Sequence, residues 1–127
     1  MIKRYGAEGS KGVANQRMPF AHAVQADGWL YVSSQVGMVN GELVHGIVEQ
    51  SNRAISNLLE IVDTAGYSKG DIVRCGVWLS DARNWPSFNR VFAQHFDEVL
   101  PARTCIIAGM VVDCLVEIDC VAYRNSS

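Results

Sequence analysis

Two charged residues, Arg103 and Glu117, stand inside apolar runs near the end of this 127-residue chain. The runs are Pro101-Ala102-Arg103-Thr104-Cys105-Ile106-Ile107-Ala108-Gly109-Met110 and Leu115-Val116-Glu117-Ile118-Asp119. An unpaired charge buried in a sheet costs several kcal/mol, so each must pair, reach water or face a site that uses it. A guanidinium is a planar, permanently charged fork that fits a carboxylate, either that of Glu117 or that of a ligand. A glutamate can take up and return a proton. The two-residue period of a strand puts Arg103 and Cys105 on one face. A hairpin through Val111 to Cys114 would bring Arg103 and Glu117 to the same end of the sheet. On spacing alone, an ion pair at an oligomer interface stands beside a ligand site.

The elements that must position these residues follow from pattern. Residues 1–17 are glycine-rich and polar and read as a loosely held arm carrying at most one short edge strand. Phe20 to Ala26 and Trp29 to Gly37 read as strands joined at Asp27-Gly28, and Asn40-Gly41 signals a second turn between Met38 and Leu43. From His45 to Ala65 the period becomes helical, with Val48, Ser51, Ile55, Leu58, Leu59 and Val62 on one face and Gly66 as the stop. Ile72 to Leu79 is a strand entered through Lys69-Gly70-Asp71. A second helix starts near Trp85, with Asn84 as its cap, Pro86 in its first turn, a stripe of Phe88, Val91, Phe92, Phe96 and Val99, and Pro101 beyond its end. Strands from Arg103 to Met110 and Leu115 to Tyr123 close the chain. This order predicts a single domain over residues 1–127, an α/β (α+β) two-layer sandwich with both helices on one face of a mixed sheet. In the last strand Val116, Ile118, Cys120 and Ala122 suit the face beneath the helices. The opposite face, with Leu115, Glu117, Asp119, Val121 and Tyr123, is half apolar and has no helix left to cover it, which predicts an oligomer interface.

Composition narrows the function. Hydrophobic residues make up 49% and charged residues 19%, an ordinary globular balance. A net charge of -2 and the absence of a basic stripe argue against nucleic acid or an anionic membrane as partner, leaving a small molecule. The four cysteines, Cys75, Cys105, Cys114 and Cys120, form no CxxC pair and read as buried free thiols, with Cys105 the candidate for reactivity. His22, His45 and His95 lie on different elements without ligand spacing, so no metal site is expected. With no signal peptide or spanning segment read at the sequence level, a cytoplasmic location is expected.

The run Pro-Ala-Arg-Thr-Cys-Ile, then Gly-Met, then Val-Glu-Ile, resembles the C-terminal signature of the Rid (YjgF-type) reactive-intermediate deaminases, and the likeness extends from about Arg17 to Arg124. The resemblance implies a chorismate-mutase-like fold assembled as a homotrimer, with pockets between subunits. It implies hydrolysis of reactive enamines or imines of amino acids to 2-oxo acids and ammonia, without metal or organic cofactor. By the same resemblance Arg103 binds the substrate carboxylate and Glu117 positions or activates water. Ser33, in Val32-Ser33-Ser34-Gln35-Val36, and Asn89, in Trp85-Pro86-Ser87-Phe88-Asn89, match substrate-contacting positions, and the backbone amide of Cys105 is a further donor. Taken alone, Ser33 reads as an ordinary strand hydroxyl and Asn89 as a polar first-turn residue. Two departures fall in the pocket. Met18-Pro19-Phe20 stands where the best-known branch has Gly-Pro-Tyr, and Ser33-Ser34-Gln35 where it has Ser-Gly-Gln. By the same resemblance Phe20 lines the pocket without a phenol hydroxyl, so a bulkier or more apolar amino-acid imine, or an enamine from a ring-cleavage or pyrimidine-degradation route, stands beside 2-aminoacrylate as substrate, and Phe20 favours the less polar ones.

A second function class uses the same pocket: a module that binds or senses a small carboxylate such as a 2-oxo acid without turnover. Glu117 favours the enzyme, because a sensor needs only the arginine. RNA cleavage is disfavoured by the acidic balance and by the lack of a histidine pair for acid-base work.

Overall fold

The computed structural model describes residues 1–125, which form ten strands and two α-helices. Strands β1 (Ile2–Tyr5), β2 (Ser10–Lys11), β3 (Arg17–Met18), β4 (Ala23–Ala26), β5 (Trp29–Val36), β6 (Met38–Val39) and β7 (Glu42–Leu43) precede helix α1 (Ile47–Thr64). Strand β8 (Ile72–Leu79), helix α2 (Trp85–His95) and strands β9 (Ala102–Ile107) and β10 (Val116–Tyr123) follow. Six strands make one sheet in the order β1-β4-β5-β10-β8-β9, while β2 with β3 and β6 with β7 form two small hairpins. In the large sheet only β8 and β9 run parallel, so the sheet is mixed. The two-layer α+β sandwich expected from the sequence is the observed fold.

The helices form for the reasons their periods give. In α1 the residues Ala54, Ile55, Leu58 and Val62 are buried against β5 and β10, and Gly66 at φ +86° turns the chain out of the helix. The stripe differs from the expected one at its start: Ser51 is buried as expected, but Val48 is exposed and Gln50 is buried in addition. In α2, Phe88, Val91 and Phe92 are buried and Phe96 caps the core just beyond His95. That helix ends earlier than its apolar pattern indicates, because Val99 lies past the last turn and is exposed. Nor does Asn84 cap it. Asn84 already has helical backbone angles, and the cap belongs to Asp81, whose carboxylate accepts the Arg83 N–H at 2.9 Å ahead of a 3-10 turn over Ala82–Asn84.

Alternation in β10 is as expected. Val116, Ile118, Cys120 and Ala122 are buried under the helices, and Glu117, Asp119, Val121 and Tyr123 face the other way. The register aligns Val121 with Tyr31, Tyr123 with Trp29, and Glu117 with Trp78, which is itself aligned with Ile106. Trp29, Tyr31, Ile106 and Tyr123 are exposed there, so the sheet face away from the helices carries a broad apolar surface.

The expected hairpin between the last two strands is not formed. Strand β9 pairs with β8 alone, and β10 lies between β5 and β8. The cause is the β8–α2–β9 segment: a strand, a helix and a strand return the chain parallel to its start, beside β8. The connection to β10 then crosses the end of β8, where Ala108 N–H donates to Leu79 O at 3.0 Å and Ser80 N–H to Leu115 O at 3.1 Å. The N-terminal arm carries the short edge strand expected of it and, beyond that expectation, the β2–β3 hairpin. β1 is a full edge strand on β4, and the Tyr5 hydroxyl donates to Gln25 Oε1 at 3.1 Å. No helix among the described residues is long and apolar enough to cross a membrane.

Candidate functional site

The residues singled out from the sequence fall into two groups on opposite faces of the sheet. The first group lines a groove of about 1070 Å³ along the free end of β5, which Phe20, Ser33 and Glu117 share with Met18, Ser34 and Asp119. The groove exists because β4 stops pairing at Val32, leaving the rest of β5 as an open edge. There the register slips: Val32 faces Cys120 and Gln35 faces Ile118, so Ser33 and Ser34 together oppose Asp119. Such a bulge bends the strand and re-aims side chains. Ser33 Oγ donates to Ala21 O at 2.7 Å, and Ser33 N–H donates to His22 O at 2.9 Å. Its hydroxyl proton is thus committed to backbone, and the oxygen lone pairs remain for a ligand donor. The Phe20 ring is 48% exposed at the groove wall, an apolar surface without a hydroxyl.

Glu117 is half-buried and has no hydrogen-bond or ion-pair partner among the described residues. Burial pushes its carboxyl above the ordinary carboxylate range, and the neighbouring Asp119 pushes it further. Asp119 is itself raised by burial, although Gly76 N–H donates to its Oδ1 at 3.0 Å. Only glycine permits that bond, since a Cβ at position 76 would stand 2.5 Å from Oδ1. The loop leading to Glu117 is fixed from the helix side. Buried Gln50 donates through Nε2 to Val44 O and accepts Leu115 N–H at Oε1, both at 2.9 Å.

The second group surrounds Arg103 on the helix side of edge strand β9. Arg103 is aligned with Cys75, and Cys75 with Cys120, both buried under the helices, so the arginine points toward α2. Its guanidinium carbon lies 4.7 Å from the ring centre of Phe92, 5.2 Å from that of Trp85 and 5.5 Å from that of Phe88. Nη2 donates to Asn89 Oδ1 at 2.7 Å. Among the described residues no carboxylate lies within ion-pair distance of Arg103, and the ion pairs are Met1 with Asp27 and Arg83 with Asp81. Cys105 follows on the same face, half-buried, and burial raises its thiol, which is therefore protonated at neutral pH. The other thiols are inert for the same reason: Cys75, fully buried, is pushed up to about 12.

Arg103 and Glu117 do not converge within one chain, contrary to the expectation from the hairpin. They point to opposite faces, and the register separates them by three residues, about 10 Å along the strands, and by two strand spacings, about 9.5 Å, across β8. Sequence reading also missed Trp85 and Phe92 as neighbours of Arg103 and Asp119 as neighbour of Glu117. Phe92 was legible only as core stripe, because nothing in the helix pattern tells which strand residue lies on it. Asp119 carried a signal, the i, i+2 spacing that puts it beside Glu117.

The comparisons agree with the fold. A family model described as endoribonuclease L-PSP matches residues 13–124. The 2-iminobutanoate/2-iminopropanoate deaminase of Mus musculus is 35% identical over 111 residues, 84% of this chain and 82% of that protein. A RutC family protein of Pyrococcus horikoshii is 32% identical over 111 residues, 84% of this chain and 88% of its own length. Among solved structures, E. coli TdcF with bound serine superposes with a TM-score of 0.83 at 26% identity, covering 91% of this chain and 96% of that one. Yeast Mmf1 gives 0.87 at 25% identity, covering 98% and 100%. With the family model spanning nearly the whole chain and relatives above 30% identity along most of it, this chain belongs to the YjgF/Rid family.

Proposed function

We propose that this protein is an enamine/imine deaminase that hydrolyses reactive 2-imino acids to 2-oxo acids and ammonia at a pocket assembled between subunits of a homotrimer. One observation carries the reading: among the described residues an arginine is seated without an acidic partner on one face, and a half-buried carboxyl without a partner lines a groove on the other. Each half lacks what the other holds. The apolar sheet face, which needs covering, supports the assembly that would join them. Relatives named as imine deaminases support the chemistry.

The steps balance without a redox change. An enamine tautomerises to the imine, whose protonated C=N carbon is electrophilic. Arg103 of one subunit holds the carboxylate by its free N–H edge, with Asn89 fixing the other side of the guanidinium and the Cys105 amide as a further donor. Glu117 of the neighbouring subunit takes a proton from water as its oxygen adds to that carbon. The proton returns to nitrogen; as the C–N bond breaks, Glu117 takes the proton of the new hydroxyl and passes it to the departing ammonia, leaving a 2-oxo acid and ammonium. Burial raises the proton affinity of this unpartnered carboxyl, which favours its taking and returning a proton. Ser33 accepts a hydrogen bond from the substrate nitrogen. Phe20 provides an apolar wall, which favours imines with larger, less polar side chains.

The test couples amino-acid oxidases to this protein and follows imine decay and ammonia release. Accelerated release across a panel of amino acids is expected. Tight binding of 2-oxo acids with no acceleration would replace the enzyme by a carboxylate-sensing module. Light scattering that finds a stable monomer at micromolar concentration would remove the intersubunit site itself.

A further inference from the structure

Arg103 is held by rings rather than by an acid. Three aromatic side chains of α2 surround its guanidinium, and the one hydrogen bond it makes goes to a neutral amide. Two of the three rings, Phe88 and Phe92, belong to the core and are nearly or wholly buried, so packing alone accounts for them. Trp85 is different. It is 45% exposed at the first turn of α2, and its indole lies over the guanidinium at 5.2 Å. A large ring at a helix start could have turned to the core or been replaced by a polar residue. Here it lies over the Arg103 cation while keeping nearly half of its surface exposed.

The geometry points to Trp85 as a positioning residue for the proposed carboxylate clamp. Its indole and the Phe92 ring fix the plane of the Arg103 guanidinium, and the Asn89 carbonyl occupies Nη2. The remaining N–H groups are then aimed away from α2 at an incoming carboxylate. A ring supplies this orientation without neutralising the cation, which an aspartate or glutamate at the same place would do. The class of ligand is a planar carboxylate next to a trigonal carbon, as in a 2-imino or 2-oxo acid. The inference rests on the deaminase reading for the identity of the substrate, but not for the existence of the anion seat.

The test separates the two. Binding of 2-oxobutanoate, a stable stand-in for the imine, is measured by calorimetry and by indole fluorescence on the wild type, Trp85→Phe and Trp85→Leu, with turnover and melting temperature on the same preparations. Trp85→Leu is expected to weaken 2-oxobutanoate binding by about 3- to 30-fold, the loss of one partly exposed ring over a cation. KM for imines rises in proportion, while kcat and melting temperature stay near wild type. Trp85→Phe, which keeps a ring, restores most of the affinity. In the wild type the ligand alters indole emission, and that change disappears in Trp85→Phe although binding persists. Equal affinity of Trp85→Leu and wild type, or a wild type that does not bind 2-oxobutanoate, overturns the inference. A wild type that binds the 2-oxo acid through Trp85 yet hydrolyses no imine overturns the deaminase reading and leaves this inference standing. Should Trp85→Leu melt lower, Trp85→Phe with wild-type stability decides by its emission change and KM alone: an unaltered ligand-induced emission change in Trp85→Phe refutes the role of Trp85.

Discussion

Glu117→Gln separates catalysis from architecture because the two readings give it opposite signs in two measurements. The substitution is nearly isosteric and removes the negative charge together with the ability to exchange a proton. Loss of a positioned acid-base group lowers kcat by about 10² to 10⁴ while leaving ligand binding largely intact. Stability moves the other way. Glu117 makes no hydrogen bond or ion pair among the described residues, and burial followed by the Asp119 charge raises its carboxyl above the ordinary value. The folded state therefore holds this proton more tightly than the unfolded chain. The stability it contributes is present below the unfolded pKa and is lost as pH rises through the folded one. Where Glu117 is ionised, the wild type carries a half-buried, unpaired charge that glutamine spares it. Glu117→Gln should melt at or above the wild-type temperature at neutral pH, and the difference should close in the acid, below the ordinary carboxylate range. Calorimetric melts across that pH span, with turnover on the same material, make the check. A Glu117→Gln protein that turns over normally but melts lower at neutral pH would show that the glutamate is only an ion-pair partner of Arg103, and would refute the catalytic assignment.

Other expectations follow from single features of the site and core. Asp119→Asn removes one of the two causes that raise Glu117, so the acid limb of the kcat profile should move to lower pH, while a limb that stays in place would uncouple the two carboxyls. Phe20→Tyr restores a hydroxyl at the groove wall and should shift the ratio of kcat/KM values toward small imines; an unchanged ratio across the imine panel would take Phe20 out of the substrate's reach. Ser51 Oγ is buried in α1 with no hydrogen-bond partner, so Ser51→Ala should stabilise the protein by about 1 to 2 kcal/mol in a denaturant titration, and a lower midpoint would mean that the hydroxyl is satisfied after all.

The layers of this fold were legible because each buried face repeats a simple period. The two-residue alternation of Val116, Ile118, Cys120 and Ala122 gave the inner face of β10 without knowledge of its neighbours, and Leu58 and Val62 did the same for α1. Pairing was less legible. Strands next to each other in sequence invite a hairpin, yet β8, α2 and β9 already form the strand, helix and strand pattern that brings parallel neighbours, and that pattern was the available signal. The short strands of the arm escaped notice because Ser10–Lys11 and Arg17–Met18 are too brief to show a period. At the site, residue types were readable and their grouping was not. That Arg103 rests on Trp85 and Phe92 is a property of where α2 crosses the sheet edge, which no local pattern encodes.

The division of the site between the two faces of the sheet has a genetic consequence. In a closed ring of identical chains every interface joins one face of a chain to the other face of its neighbour. A chain with Arg103→Ala still carries an intact groove, and a chain with Glu117→Gln still carries an intact guanidinium seat. Two dead alleles would therefore complement each other. Refolded together in equal amounts, the two inactive chains should regain activity at about a quarter of the sites, those where the good halves meet. The same alleles placed on one chain should regain nothing.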